Sequence, residues 1–213
     1  DPSDSKTIYL STGDEDGSNA YTDGVYKSTD SGYTWTQLSY PYLPSSYSGE
    51  ILVNTKNSQM LWVVGRNGLY KSTDAGTTWV QTHPMWTKEI RQKPNDSSVL
   101  YVVERIGTNH NILKSTDAGE TFTNIQSYPS TARVVIDVTP ADPNYLYVLA
   151  ANADNSFKGI YRSTDAGLTF TTQNDTTNIF NASRQAYYDL AIGVSDTDPN
   201  TIFTGCIEVW KSS

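Results

Sequence analysis

Leu69-Tyr70-Lys71-Ser72-Thr73-Asp74-Ala75-Gly76-Thr77-Thr78-Trp79 reads as a strand, a tight turn and the start of a second strand, and the chain repeats it. The same pattern stands at Val25–Trp35 (VYKSTDSGYTW), Ile112–Phe122 (ILKSTDAGETF) and Ile160–Phe170 (IYRSTDAGLTF), and a further copy begins at Val209-Trp210-Lys211-Ser212-Ser213. The aspartates Asp30, Asp74, Asp117 and Asp165 recur after 44, 43 and 48 residues. That period suits a blade of four strands, about 40–50 residues.

A second repeat alternates with the first. Turn-forming stretches such as Lys93-Pro94-Asn95-Asp96, Thr139-Pro140-Ala141-Asp142-Pro143-Asn144 and Asp196-Thr197-Asp198-Pro199-Asn200 each precede an apolar run such as Val99-Leu100-Tyr101-Val102. Each half is a hairpin and two hairpins make a blade. In the fullest unit the strands are expected at 133–138, 145–150, 159–163 and 168–172. A four-stranded sheet that is apolar on both faces cannot bury itself, so blades must stack around an axis. The fold expected is all-β, a β-propeller of four-stranded antiparallel blades. It comprises a partial blade at 1–39, blades at 50–81, 88–124 and 132–173, and a partial blade at 187–213. The incomplete end blades predict a native polypeptide that extends in both directions and supplies the remaining blades of the ring.

Composition agrees. The 213 residues are 37% hydrophobic, with 15 Tyr and 5 Trp carrying much of the apolar load and 14 Gly and 9 Pro as punctuation. A net charge of −8 with no basic run argues against nucleic acid as a partner. No apolar run approaches the ~18 residues that span a bilayer. The lone Cys206 sits in a strand-like stretch, where a buried structural thiol is expected.

Each turn has a chemical logic. The carboxylates of Asp30, Asp74, Asp117 and Asp165 can accept backbone N–H groups beside Ser28, Ser72, Ser115 and Ser163, and Gly32, Gly76, Gly119 and Gly167 supply a backbone angle that a Cβ would penalise. The closing Trp35, Trp79, Phe122 and Phe170 are expected to bury their rings between blades.

This S-x-D-x-G-x-T-W pattern resembles the Asp-box, or BNR, repeat of sialidases, sortilin-type receptors and family 74 glycoside hydrolases. Ser11–Gly17, Tyr188-Asp189-Leu190-Ala191-Ile192 and Val209-Trp210-Lys211-Ser212 resemble large propeller proteins exported by type IX secretion systems. The resemblance implies a secreted or cell-surface location. It implies a scaffold and no particular activity, because these families differ in their loops.

Strand alternation places the repeated turns at one end of the propeller and the variable connections at the other: 13–23, 65–67, 104–110 and 151–158 within blades, 39–49, 82–88, 124–131 and 174–187 between them. Binding is expected at the variable end. Tyr42, Arg66, Trp86, Arg105, His110, Arg184 and Tyr187 are the candidate ligand-binding residues, aromatics for stacking a sugar beside cations. Asp14, Asp16 and Asp23 offer hard oxygen ligands for Ca²⁺ without the spacing of an EF-hand. Asp23, in Thr22-Asp23-Gly24-Val25-Tyr26, resembles the Thr-Asp-x-Gly-Gly-x-Tyr catalytic segment of family 74 xyloglucanases with two residues missing. No second carboxylate is paired with it by any sequence feature, whereas glycoside hydrolysis generally uses two. The reading favoured is a non-catalytic module for adhesion, glycan or extracellular-protein binding, or a spacer. The alternative is a secreted glycoside hydrolase with part of its active site on further blades.

Overall fold

The computed structural model describes residues 1–13, 23–38, 48–181 and 184–212. Its strands form five antiparallel sheets, each a meander in chain order. Blade 1 holds β1 (Ile8–Ser11), β2 (Val25–Ser28) and β3 (Thr36–Gln37), and blade 2 holds β4 (Ser48–Val53), β5 (Leu61–Gly65), β6 (Gly68–Ser72) and β7 (Val80–His83). Blade 3 comprises β8 (Thr87–Gln92), β9 (Leu100–Ile106), β10 (Asn109–Ser115) and β11 (Thr123–Tyr128). Blade 4 comprises β12 (Thr131–Val138), β13 (Leu146–Asn152), β14 (Phe157–Ser163) and β15 (Thr171–Asn174). A short helix, α1 (Ala186–Asp189), precedes blade 5, built of β16 (Ala191–Val194), β17 (Ile202–Gly205) and β18 (Val209–Ser212). The chain is an incomplete β-propeller: β4 packs beside β8, β8 beside β12 and β12 beside β16, so the first strands of blades 2 to 5 face the axis.

The apolar core is divided into layers between blades, and the period-2 alternation of strands assigns each side chain to a layer. On β5, Trp62 and Val64 join the layer shared with blade 3, while Val63 packs toward blade 1 with Val25. On β9, Leu100 and Val102 face blade 2, and Tyr101 and Val103 face blade 4. β13 repeats this with Leu146 and Val148 on one side and Tyr147 and Leu149 on the other.

The four Asp-box turns share one hydrogen-bond pattern. The Ser hydroxyl donates to Asp Oδ1 at 2.7–2.8 Å and accepts the Gly N–H at 2.8–2.9 Å. The Thr four residues after the Asp donates its N–H to Oδ1 at 2.8–3.0 Å and its hydroxyl to Oδ2 at 2.5–2.7 Å. Two successive residues are left-handed: the Gly at φ of +82 to +90°, and before it Ser31, Ala75, Ala118 or Ala166 at +56 to +63°. The N–H of that second residue donates to a carbonyl of the first hairpin in the same blade, namely Lys6, Gln59, Ser98 or Asn144. These bonds extend the turn beyond the expected length. Leu168, Thr169 and Phe170 belong to it rather than to a strand at 168–172, since the N–H groups of Leu168 and Thr169 are both held by Asp165, and β15 starts at Thr171.

The ring that seals each blade junction differs from the one expected. Trp35 is 40% exposed, and Trp79, Phe122 and Phe170 are half-buried at the layer edges. The fully buried aromatic comes from the second strand. Trp62 Nε1 donates to Ala118 O at 3.1 Å and Tyr101 OH to Ala166 O at 3.1 Å, each reaching the Asp-box of the next blade. Tyr147 OH donates to Pro199 O of blade 5 at 2.9 Å. Cys206 is half-buried against the last layer instead of buried within it.

Gly119 is therefore constrained twice. Its φ is +82°, and a Cβ there would stand 2.8 Å from Trp62 Nε1. Gly107, at φ +62°, has open space around it. Gly107→Ala should cost about 1–2 kcal/mol for the left-handed backbone alone, and Gly119→Ala should add about 1–3 kcal/mol of overpacking to the same backbone penalty. Urea unfolding midpoints of the two variants check the order.

The Asp-box carboxyls titrate abnormally low. Hydrogen bonds from Thr34 and Thr169 hold Asp30 and Asp165 down to about 2, and those of Thr121 and Thr78 lower Asp117 and Asp74. A depressed folded-state value means that the stabilisation is present above the unfolded value near 3.8 and is lost as pH falls toward 2. The melting temperature should drop across that window. Asp117→Asn, which cannot titrate, should lower it at pH 7 and flatten part of the acid limb.

Candidate functional site

The connections at the end opposite the Asp-boxes are shorter than the sequence implies. β9 and β10 run through most of 104–110 and meet at Gly107-Thr108, and β11 and β12 leave only residues 129–130 of the expected 124–131 connection. Hydrogen bonds knit these ends together: Arg105 N–H to Trp86 O at 2.8 Å, Thr131 N–H to Thr108 O at 2.8 Å and Ala153 N–H to Ser130 O at 3.0 Å. They shape an open cleft of ≈ 240 Å³ lined by Arg66, Trp86, Lys88, Arg105, Thr131 and Tyr187 among others.

Four of the candidate ligand residues, Arg66, Trp86, Arg105 and Tyr187, thus come together from blades 2 and 3 and the helix before blade 5. Trp86 is the centre. The guanidiniums of Arg66 and Arg105 each lie 4.6 Å from its ring centroid, and Lys88 Nζ lies 5.4 Å away. Arg105 is fixed further by its Nε–H, which donates to Gly107 O at 3.0 Å. The ring face that a sugar would need is engaged by cations, so Trp86 positions charge. Tyr187 is held through its carbonyl, which accepts from Arg133 at 3.1 Å.

The other candidates lie elsewhere. His110 is fully buried behind the cleft instead of lining it, because residues 109–115 are strand. Thr131 donates its hydroxyl to Tyr128 O and so accepts from His110 Nδ1–H at 2.9 Å, which assigns the tautomer and leaves Nε2 as an acceptor without a partner. Burial first, then the charges of Lys88, Arg105 and Arg133, push its pKa down to about 3, so the imidazole stays neutral. Arg184 is exposed, and its charge acts on Asp154. Tyr42, Asp14 and Asp16 lie outside the described residues. Among the described residues, no group of three or more His, Cys, Asp and Glu is placed to hold a metal.

Asp23 has a counterpart. Asp23-Gly24-Val25-Tyr26-Lys27-Ser28 aligns with Asn67-Gly68-Leu69-Tyr70-Lys71-Ser72, with Gly24 and Gly68 at φ of +108° and +109°. Gln37 Nε2 donates to Asp23 O as Gln81 Nε2 does to Asn67 O, and the Asp23 carboxylate accepts from the Tyr26 hydroxyl. It is a hairpin-turn residue whose match was visible in the internal repeat.

Lys88, 5% exposed on an inner strand, is the cleft residue absent from the candidates although it ended the expected 82–88 connection. The inner strands also carry a separate ionic cluster. Arg91 contacts Glu50 at 2.7 Å, Glu89 at 3.2 Å and Asp137 at 3.4 Å, joining blades 2, 3 and 4 at the axis. Burial, and then the neighbouring Glu50 charge, push Glu89 well above the usual carboxylate range. No described helix is long and apolar enough to cross a membrane.

Comparison with known proteins agrees with this architecture. The GH74 xyloglucanase from Xanthomonas campestris superposes with a TM-score of 0.74 at 16% identity, over 99% of this chain and 35% of that one. The GH74 enzyme of Niastella koreensis gives 0.68 at 26% identity, over 96% and 32%. YCF48 from Cyanidioschyzon merolae gives 0.53 at 13% identity, over 94% and 64%. The chain spans about a third of the length of these GH74 structures. No curated protein matches it. The family model described as Sortilin-Vps10 (sortilin, neurotensin receptor 3) matches residues 67–206, well over half of the chain and three of its Asp-boxes. The chain belongs to the Sortilin-Vps10 family.

Proposed function

We propose that this chain is part of a non-catalytic, extracellular or cell-surface propeller that binds a glycan or protein at the cleft end, as an adhesion or spacer module exported by type IX secretion. The observation that carries the reading is the convergence of Arg66, Trp86, Lys88 and Arg105 in one cleft, held in place by backbone bonds between neighbouring turns. This is chemistry for holding a ligand; hydrolysis of a glycosidic bond would call on a pair of carboxyl groups. The turn position of Asp23 supports the same conclusion.

A second reading, a secreted glycoside hydrolase completed by further blades, is supported by the likeness to the Niastella koreensis GH74 enzyme. The two make opposite forecasts. As a binding module, the protein shows saturable binding to an immobilised polysaccharide or extracellular protein without releasing reducing sugar. Trp86→Ala then weakens binding at least about tenfold, and Asp23→Ala leaves it intact. Sugar release that vanishes in Asp23→Ala would establish the hydrolase instead.

A further inference from the structure

We propose that the carboxyl cluster around Arg91 is a proton-operated clamp on the propeller axis: with Glu89 protonated it draws the first strands of blades 2 to 5 together, and loss of that proton to water loosens them. The clamp is independent of what the cleft binds.

The strands β4, β8, β12 and β16 lie in four separate sheets, so no backbone ladder joins them. Carboxylates bridge them. Glu50 Oε2 on β4 accepts the Ile90 N–H at 2.9 Å and an Arg91 Nη1 hydrogen at 2.7 Å, which ties blade 2 to blade 3. Arg91 Nε lies 3.4 Å from Asp137 Oδ1 on β12, and Asp137 Oδ2 accepts the Val194 N–H of β16 at 2.8 Å, which carries the tie through blade 4 to blade 5. Glu89 sits inside this chain, 3.2 Å from Arg91 Nη2, with its side chain 10% exposed against 21% for Asp137 and 38% for Glu50.

Three carboxyls thus share one guanidinium, and the deepest of them is the costliest to ionise. Arg133 on β12 also acts on Glu89, while donating to the carbonyls of Tyr187 and Tyr188. The remaining charge on β8 and β9 is engaged elsewhere, Glu104 with His83 and Asn111, Lys88 and Arg105 at Trp86. β5 and β16 carry no ionisable side chain. The stretches outside the described residues contain no Lys, Arg or His, so they add no cation to offset the excess of carboxyls. Burial first, then the Glu50 charge, push Glu89 up to about 8. Once ionised it demands water, and a cavity of ≈ 230 Å³ lined by Glu50, Glu89, Arg91, Arg133 and Ile192 among others borders it.

A folded-state value raised above the unfolded one, near 4.5, makes this stabilisation complete below 4.5 and lost as pH rises through about 8, a window apart from the acid one of the Asp-boxes. Carbon-13 NMR of the chain labelled at Glu carboxyls, with amide hydrogen exchange, tests the clamp. One Glu should titrate near pH 8 and be missing in Glu89→Gln, and Glu50→Gln should move that titration down by about one pH unit, because it removes the neighbouring charge. Corrected for intrinsic rates, exchange of the Ile90 and Val194 amides should quicken at least about tenfold from about pH 7 to about pH 9, and that of Gly76 and Gly119 in the Asp-boxes should not. The melting temperature should fall over the same range in the parent chain and in the control Glu120→Gln, and stay level in Glu89→Gln. Glu50→Gln reads the cluster even where Glu89→Gln does not fold. Every Glu titrating below about pH 6, or a late titration that survives Glu89→Gln, would overturn the assignment. A late titration at Glu89 with the Ile90 and Val194 amides unmoved would overturn the clamp.

Discussion

One hydroxyl and one carboxylate organise each blade. The Ser Oγ of the Asp-box accepts the N–H of the Gly while donating to the Asp, and the Asp carries on to the N–H and hydroxyl of the Thr. Those bonds hold two consecutive left-handed residues, one of them Ala or Ser, in a conformation that an L-residue adopts only under compulsion. The compulsion delivers a product: a carbonyl and a bare glycine face presented to the neighbouring blade. Removing the side chain at Gly119 is what lets Trp62 approach, and turning the peptide is what aims Ala118 O at its indole N–H.

The layers between blades then follow. The second strands of blades 2, 3 and 4 are buried on both faces because each has a neighbour on either side, and Leu61–Gly65 reads as uninterrupted apolar residues for that reason. Polar groups accumulate where layers end. On the axis, Arg91 brings together carboxylates of three blades and forces Glu89 and Glu50 into proximity, a costly arrangement for like charges. At the strand ends, by contrast, cations gather on Trp86.

Most of the architecture was legible because the turn chemistry is local: Ser72, Asp74 and Gly76 act within five residues of one another, and their copies repeat on a fixed period. What sequence could not show was longer in range. The expected burial of Trp35 and its equivalents failed because the turn points those rings at layer edges, while the burial of Tyr101 depends on a carbonyl 65 residues away. His110 looked like a loop residue because Gly107 and Asn109 mark a turn, and only pairing of Asn109–Ser115 with both neighbours shows how far the strands run. Lys88 ended the expected 82–88 connection but was not among the candidates, and pairing shows it to be a strand residue that reaches the cleft.

The junction from second-strand aromatic to next-blade turn has a direction: donor in one unit, acceptor in its successor. Each repeat therefore carries both halves of a joint, a plug on one side and a socket on the other. Tandem duplication of a single unit would create a correctly mated pair in one genetic event, with no compensating change needed in either copy. Lengthening such a chain by whole repeats is easy for evolution, and inverting a repeat is not.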